Sequence, residues 1–212
     1  MLESEAMALL VSAVPSYKNR DAALALAGSA LAVLQDAGRY AAQLGDKGVA
    51  QVRQAWLERE ERLGALEEKR MHILLRGEAG YPPLLEQIAQ PPHLLYVWGS
   101  TDLTDPFPVA VVGTRRASAY GVTHSRMMAR ELARAGVCVV SGLALGVDAS
   151  AHEGALDAGG RTLAVLGSAL DKFYPEENRA LMERILASGG SVVSEYPPGT
   201  APTKYSFLQR NR

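Results

Sequence analysis

Two arginines that follow a glycine at the end of an apolar run are the residues of this chain best suited to chemistry. The run "VAVVG" ends at Gly113 and continues with Thr114, Arg115 and Arg116. Glycine allows a sharp turn and close backbone approach, guanidinium groups suit phosphate oxygens, and a helix start after the loop adds N–H groups. We therefore predict a phosphate-binding loop, and the alternative is that one arginine only pairs with a neighbouring acid.

A second set of small and polar residues lies in "SGLALGVDASAH". Ser141, Gly142 and Gly146 form the loop, and we predict that Asp148 caps or charges the helix that follows. Asp148 and His152 are four residues apart, a spacing that could serve a metal or an acid–base pair. Because the sequence offers no third ligand, the structural interpretation is favoured, and neither a catalytic residue nor a metal site is predicted.

The last stretch, "TKYSFLQRNR", interleaves basic and aromatic side chains and contains no acid. Its cations are Lys204, Arg210 and Arg212, and its rings are Tyr205 and Phe207. Cations that follow a sugar-phosphate backbone, with rings that stack on bases, suit a single-stranded nucleic acid. The alternative is that Phe207 is a core residue and that the arginines pair with acids.

The elements that must position these groups alternate regularly. We predict strands over 109–113, 137–141, 162–167 and 191–195, and helices over 117–135, 147–158 and 176–187. Val-rich strands that alternate with helices are typical of an α/β fold, a mostly parallel Rossmann-like sheet with helices on both faces. Ligands of such sheets lie beyond the carboxyl ends of the strands, so the loops described above are expected to meet at one edge.

The first 70 residues are rich in Ala and Leu and are predicted to form a small all-α domain. The stretches "DAALALAGSALAVLQDAG" and "GVAQVRQAWLEREERLGALEEKR" each fit an amphipathic helix, with breaks near Gly38 and at Gly45 to Gly48. The predicted domains are therefore residues 1–70 and 71–212.

Composition limits the class of protein. The formal net charge is −1, so a nucleic-acid surface would have to be a local patch. Cys138 is the only cysteine, which excludes a disulfide within the chain and fits a reducing compartment. The acidic N-terminus is unlike a secretory signal and no apolar run reaches membrane-spanning length, so a cytoplasmic location is expected.

Common nucleotide-binding motifs are not found in the sequence. There is no G-x-x-x-x-G-K-[ST] loop, and the first loop reads G-T-R-R where a dinucleotide fold has G-x-G-x-x-G. No cofactor is therefore predicted. Two rival functions stay open: a nucleotide-processing enzyme such as a phosphoribohydrolase, and a small-nucleotide sensor. The former is expected to carry P-G-G-x-G-T-x-x-E, and the nearest string is "PPGTAP".

Five blocks in order, "VVGTRRAS", "SGLALGVDASAH", "LGSALDKFYPEENRAL", "SEYPPGTAP" and "FLQRNR", resemble the DNA-processing protein A family (DprA, also called Smf). The resemblance covers about residues 72–212, and the first 70 residues are compatible with the sterile-alpha-motif-like domain of that family. It implies an extended Rossmann-like domain that binds single-stranded DNA during natural transformation. Such proteins shield incoming DNA, load the RecA recombinase and are not known as enzymes.

The resemblance also assigns site residues and shows two departures. The family often has arginine at the position of Leu145, and it continues past the final R-N-R with strands that carry its homodimer contact and recombinase-facing surface. We therefore expect that residues 71–212 are a truncated domain and that this chain alone is monomeric. The motif positions of the family fall on Gly113, Thr114, Arg115, Lys204, Phe207, Arg210, Asn211 and Arg212.

Overall fold

The computed structural model describes residues 1–206, and the chain divides into two units, Met1–Leu75 and Arg76–Arg212. This division falls shortly after residue 70, where the sequence predicts the domain boundary. No helix in the described range is long and apolar enough to cross a membrane.

The first unit is mainly helical. Its core includes Leu9 and Leu10 of the first helix, which are almost completely buried. Its elements are α1 (Glu3–Ala13), α2 (Tyr17–Ala27), α3 (Ala30–Gln35), a 3₁₀ helix (Ala37–Tyr40), α4 (Ala41–Leu57), α5 (Arg59–Glu68) and the strand β1 (His72–Leu75).

Helix breaks in this unit occur at glycines and caps. The predicted break at Gly45 is confirmed, since its φ of 69° and ψ of 165° interrupt α4. The prediction of one helix across residues 21–38 is wrong. Gly28 ends α2 in the left-handed conformation with φ 77°, and the Ser29 hydroxyl then accepts the Ala32 N–H at the start of α3. The second predicted helix also divides, at Glu58 between α4 and α5.

The second unit contains the predicted alternation of strands and helices. Strands β3 to β6 are parallel neighbours in chain order, and β2 pairs with β6 in the antiparallel sense. The mostly parallel α/β prediction is therefore confirmed. The elements are β2 (Leu94–Gly99), β3 (Pro108–Ala110), α6 (Ala119–Arg134), β4 (Cys138–Ser141), α7 (Val147–Asp157), β5 (Thr162–Val165), α8 (Arg179–Ala187) and β6 (Ser191–Ser194).

The α-helices of this unit share one face of the sheet within the part of the chain that the structure describes. The strand order never reverses between β3 and β6, so right-handed crossovers place α6, α7 and α8 on the same side. The sequence predicts helices on both faces. The second face instead carries the segment 82–92 with a 3₁₀ helix at Leu85–Gln87. A cavity of about 350 Å³ lies there, lined by Val140, Leu163 and the buried Cys138 among others.

Helices α6 and α7 approach each other closely. A Cβ at Gly154 of α7 would collide with the carbonyl oxygen of Arg126 in α6, so only glycine permits this approach. At the surface, the guanidinium group of Arg126 lies 3.0 Å from Glu153 and 2.6 Å from Asp157. The packing brings the start of α7 up to the loop that follows β3.

His152 of α7 is fully buried and hydrogen-bonded inside this core. Its Nδ1 lies 2.7 Å from the Thr162 hydroxyl oxygen, and that hydroxyl donates to the carbonyl oxygen of Val139 at 2.6 Å. Because Thr162 has a single proton to donate, Nδ1 must be the protonated nitrogen of the ring. Burial lowers the pKa of His152 to about 3.

This burial predicts an acid-dependent loss of stability. In the unfolded chain the side chain of His152 becomes protonated below about pH 6.5. In the folded chain it becomes protonated only near pH 3. The free energy of unfolding is therefore undiminished above pH 6.5 and falls by up to about 1.4 kcal/mol per pH unit below it. Urea denaturation at pH 7, 6 and 5 should show a shallower pH dependence for His152→Gln. The exposed His124, changed to Gln, is the control, and an unchanged slope for both variants would contradict the prediction.

Candidate nucleic-acid interface

Four connections meet at the carboxyl edge, which we define as the edge of the sheet where the parallel strands β3 to β6 end. They are residues 111–118, 142–146, 166–178 and 195–206. Since parallel strands all end at the same edge, the convergence that the sequence predicts is present in the structure.

The carboxylate of Asp148 joins the first two connections. Asp148 is only 2% exposed, and its two oxygens accept the N–H of Gly113 at 3.3 Å and of Gly142 at 3.1 Å. It lies in the first turn of α7, as predicted, but the N–H groups that it binds belong to two neighbouring loops. Asp148 and His152 have separate partners, which agrees with the structural interpretation of this pair.

The GTRR loop (residues 113–116) packs directly on the start of α7. The Val147 N–H donates to the carbonyl oxygen of Thr114 at 3.2 Å. Gly146 has a φ of +81°, and a Cβ at this position would collide with the same oxygen. The Val147 N–H at the start of α7 is therefore hydrogen-bonded to the loop. The side chains of Arg115 and Arg116 are exposed on the outer side of the loop.

Gly113 has a packing role in the structure. A Cβ at this residue would lie 2.7 Å from Cγ2 of Val147, so glycine is needed for packing. Its N–H is also bound to Asp148. The Thr114 hydroxyl accepts the N–H of Arg116 at 3.2 Å, which shapes the turn. Packing against α7 and the bond to Asp148 therefore position Gly113, and its place in a phosphate-binding loop stays a prediction.

The second connection is stabilised from inside the protein. Ser141 is buried, and its hydroxyl donates to the carbonyl oxygen of Val111 at 2.7 Å, so this predicted site hydroxyl points inward. Leu143 is also buried and has an unusual φ of +53°. Its carbonyl oxygen accepts the side-chain N–H of Asn178 at 3.0 Å. The sequence analysis did not identify Asn178 as a residue that holds this loop. Leu145, at the position where the resembling family often has arginine, is 39% exposed.

The fourth connection presents Lys204 and Tyr205 to solvent. The Ser206 hydroxyl accepts the Thr203 N–H at 2.9 Å, and the Thr203 hydroxyl accepts the Ser206 N–H at 3.0 Å. This reciprocal pair holds a turn from which Tyr205, 78% exposed, projects. The other predicted residues of this segment lie outside the described residues: Phe207, Arg210, Asn211 and Arg212.

Both acidic and basic side chains lie at the carboxyl edge. Two acidic groups of the third connection have protein partners: Asp171 accepts the Gly199 N–H at 2.9 Å, and Glu176 pairs with Arg179, whose guanidinium group lowers the pKa of Glu176. Among residues 1–206, no cluster of acidic, histidine or cysteine side chains could hold a metal ion. Exposed cations lie on three of the connections: Arg115 and Arg116, Lys172, and Lys204.

A mostly parallel sheet with glycine-containing loops at its carboxyl edge defines a Rossmann-like protein. Residues 72–212 match the family model described as DNA recombination-mediator protein A, and the chain therefore belongs to that family. Protein Smf of Synechocystis sp. is 41% identical over 69% of this chain, and Protein Smf of Escherichia coli is 38% identical over 69%. These matches cover 37% and 39% of the relatives' own lengths, so the chain spans well under half of each.

Solved structures agree with this assignment. The X-ray structure of DNA processing protein A from Streptococcus pneumoniae aligns with a TM-score of 0.77 and 31% identity, over 100% of this chain and 73% of that one. A structure of DNA processing protein A from Helicobacter pylori, described for its single-stranded DNA binding mode, aligns with a TM-score of 0.59 and 39% identity. It covers 67% of this chain and 63% of that one.

The double hydrogen bond of Asp148 predicts a specific cost of substitution. Asp148→Asn keeps one acceptor oxygen but turns an NH₂ group towards one of the two backbone N–H groups. We expect the free energy of unfolding to fall by about 1–3 kcal/mol and the Gly113 or Gly142 amide to exchange faster with solvent. Urea denaturation and amide hydrogen exchange are the measurements.

Asp157→Asn is the matched control on the same helix. It removes a surface ion pair with Arg126, which is worth no more than about 1 kcal/mol. Equal losses of stability in the two variants, with unchanged exchange at both glycines, would contradict the role of Asp148.

Proposed function

We propose that the carboxyl edge binds single-stranded DNA and that the protein acts as a recombination mediator without catalysis of its own. The observation that carries the proposal is the GTRR loop, whose two arginines are exposed on a backbone held by Asp148 and the start of α7. Membership of the recombination-mediator family and the similarity to the Helicobacter pylori protein support it.

The geometry favours phosphate contacts that are made by side chains. The N–H groups of Gly113 and Gly142 are occupied by Asp148, so the exposed Arg115 and Lys204 are the proposed phosphate contacts. Arg210 and Arg212 are proposed to join them. Such contacts position a strand without reading its bases, and their affinity falls as salt rises.

For the whole protein, the proposed role is to protect incoming single-stranded DNA and help to load RecA during natural transformation, as a homodimer. This chain spans only 37–39% of its Smf relatives in Synechocystis sp. and Escherichia coli, so the dimer contact and the RecA surface are assigned to the whole protein and not to these residues.

Competition binding tests the proposed ligand against its rivals. Labelled oligo-dT is titrated with the chain, and unlabelled oligo-dT, duplex of equal length, AMP and a cyclic dinucleotide are used as competitors. We expect oligo-dT to bind at micromolar concentration or tighter and to be displaced well only by single strands. Displacement by AMP or the cyclic dinucleotide would favour the nucleotide enzyme or sensor, and equal competition by duplex would contradict the single-strand site.

Replacing Arg115 tests the phosphate role of the GTRR loop. Arg115→Ala should weaken binding to all oligonucleotide sequences alike, because a phosphate contact carries no base information. The magnitude of d log K/d log[salt] should fall by about one or slightly less, the share of one lost phosphate contact. Fluorescence anisotropy at several salt concentrations measures both quantities.

Arg116→Ala is the neighbouring control. Successive side chains after a strand tend to point apart, so its loss should change the salt slope less than the loss of Arg115. Melting temperatures are compared first. If Arg115→Ala melts like the wild type yet keeps its affinity and salt slope, the loop is not a phosphate site.

A further inference from the structure

Exposed aromatic rings of the second unit are concentrated at the carboxyl edge. Tyr120, Tyr174 and Tyr205 are 71%, 53% and 78% exposed, and each belongs to the connection, or to the first helical turn, after a parallel strand. Phe107, 68% exposed, lies at the opposite edge just before β3. Exposed rings and exposed cations on the same edge are the combination that suits a single-stranded nucleic acid.

Tyr120 packs against a second ring. It lies in the first turn of α6, directly after the GTRR loop, and this turn is held by the Ser118 hydroxyl, which accepts the Gly121 N–H at 3.2 Å. Its ring stacks on the imidazole of His124, with centroids 3.7 Å apart and planes inclined by 28°. His124 is fixed in turn by the Tyr120 carbonyl oxygen, 2.9 Å from Nδ1.

One face of the Tyr120 ring is thus covered by His124, and the high exposure of the residue leaves the other face open. A flat ring that is held in place and has a free face is the form of platform on which a nucleobase stacks, whatever its sequence. The nearest cations along the chain are Arg115 and Arg116, so a phosphate contact and a base contact lie within six residues.

We propose that Tyr120, supported by His124, stacks on a base of the bound single strand next to the phosphate held by the GTRR loop. This inference rests on the proposed function, and it adds a base-contacting subsite at the start of α6 to the cations of the edge and to the rings predicted at Tyr205 and Phe207. Its ligand is an unpaired nucleobase, which a duplex keeps within its own stack.

Paired oligonucleotides separate base contacts from phosphate contacts. One is oligo-dT, and the other has the same length and charge but carries abasic sugars. Tyr120→Ala should weaken binding to oligo-dT by about tenfold, within the range for loss of one base–aromatic stack. It should leave the affinity for the abasic strand and the salt slope unchanged, whereas Tyr120→Phe should bind both strands like the wild type.

Phe107→Ala is the matched control, since it removes an equally exposed ring from the opposite edge and should change neither affinity. A strand that contains 2-aminopurine gives a direct signal. Its fluorescence should be quenched on binding to the wild type and to Tyr120→Phe, and less so with Tyr120→Ala. His124→Ala should show a smaller loss in the same direction, because the tyrosine ring then lacks its support.

The outcomes distinguish this inference from the proposed function. If the wild type binds oligo-dT but Tyr120→Ala binds it equally well, the subsite is wrong while the single-strand site stands. Equal weakening for oligo-dT and the abasic strand would also overturn the subsite, because the ring would then act through the loop. If the wild type does not bind oligo-dT, both proposals fail.

Discussion

One buried carboxylate determines how the loops of the carboxyl edge lie relative to each other. Asp148 binds an N–H group from each of two loops, and a buried N–H left without an acceptor would cost about 1–3 kcal/mol. Because α7 carries this carboxylate, the packing of α7 also sets the position of the loops. Gly154 allows α6 to come close to α7, so a glycine near the end of the helix contributes to the placement of Arg115 and Arg116.

This arrangement differs from that of common phosphate-binding loops. In those loops, backbone N–H groups at a helix start bind the phosphate directly. Here the N–H groups of Gly113 and Gly142, in the loops after β3 and β4, bind the protein's own carboxylate, and the Val147 N–H at the start of α7 binds the carbonyl oxygen of Thr114. The N–H groups of Gly113, Gly142 and Val147 are therefore satisfied without a ligand, and the side chains of Arg115 and Arg116 lie on the outer side of the loop.

The sequence predicts the strands of the second unit well, because Val-rich runs between helices are a local signal. It does not predict the partners of Asp148, since Gly113 lies 35 residues away and only the folded sheet brings it near. The burial of Ser141 could have been predicted from the sequence, because the two-residue alternation along β4 puts Ser141 on the same face of the sheet as Val139. The sequence does not show which face of the sheet each helix covers. That distribution depends on the order of the strands in space and not on their order in the chain.

Cys138, the single cysteine, lies in β4 beside the cavity of the second face and is 4% exposed. Burial raises the pKa of its thiol to about 12, so almost none of it is thiolate near neutral pH. Since the thiolate is the reactive form, maleimide dyes and mild oxidants will react with this side chain only slowly. A cysteine introduced at the exposed Leu145 would be labelled selectively with Cys138 left in place, which provides a fluorescent reporter at the carboxyl edge.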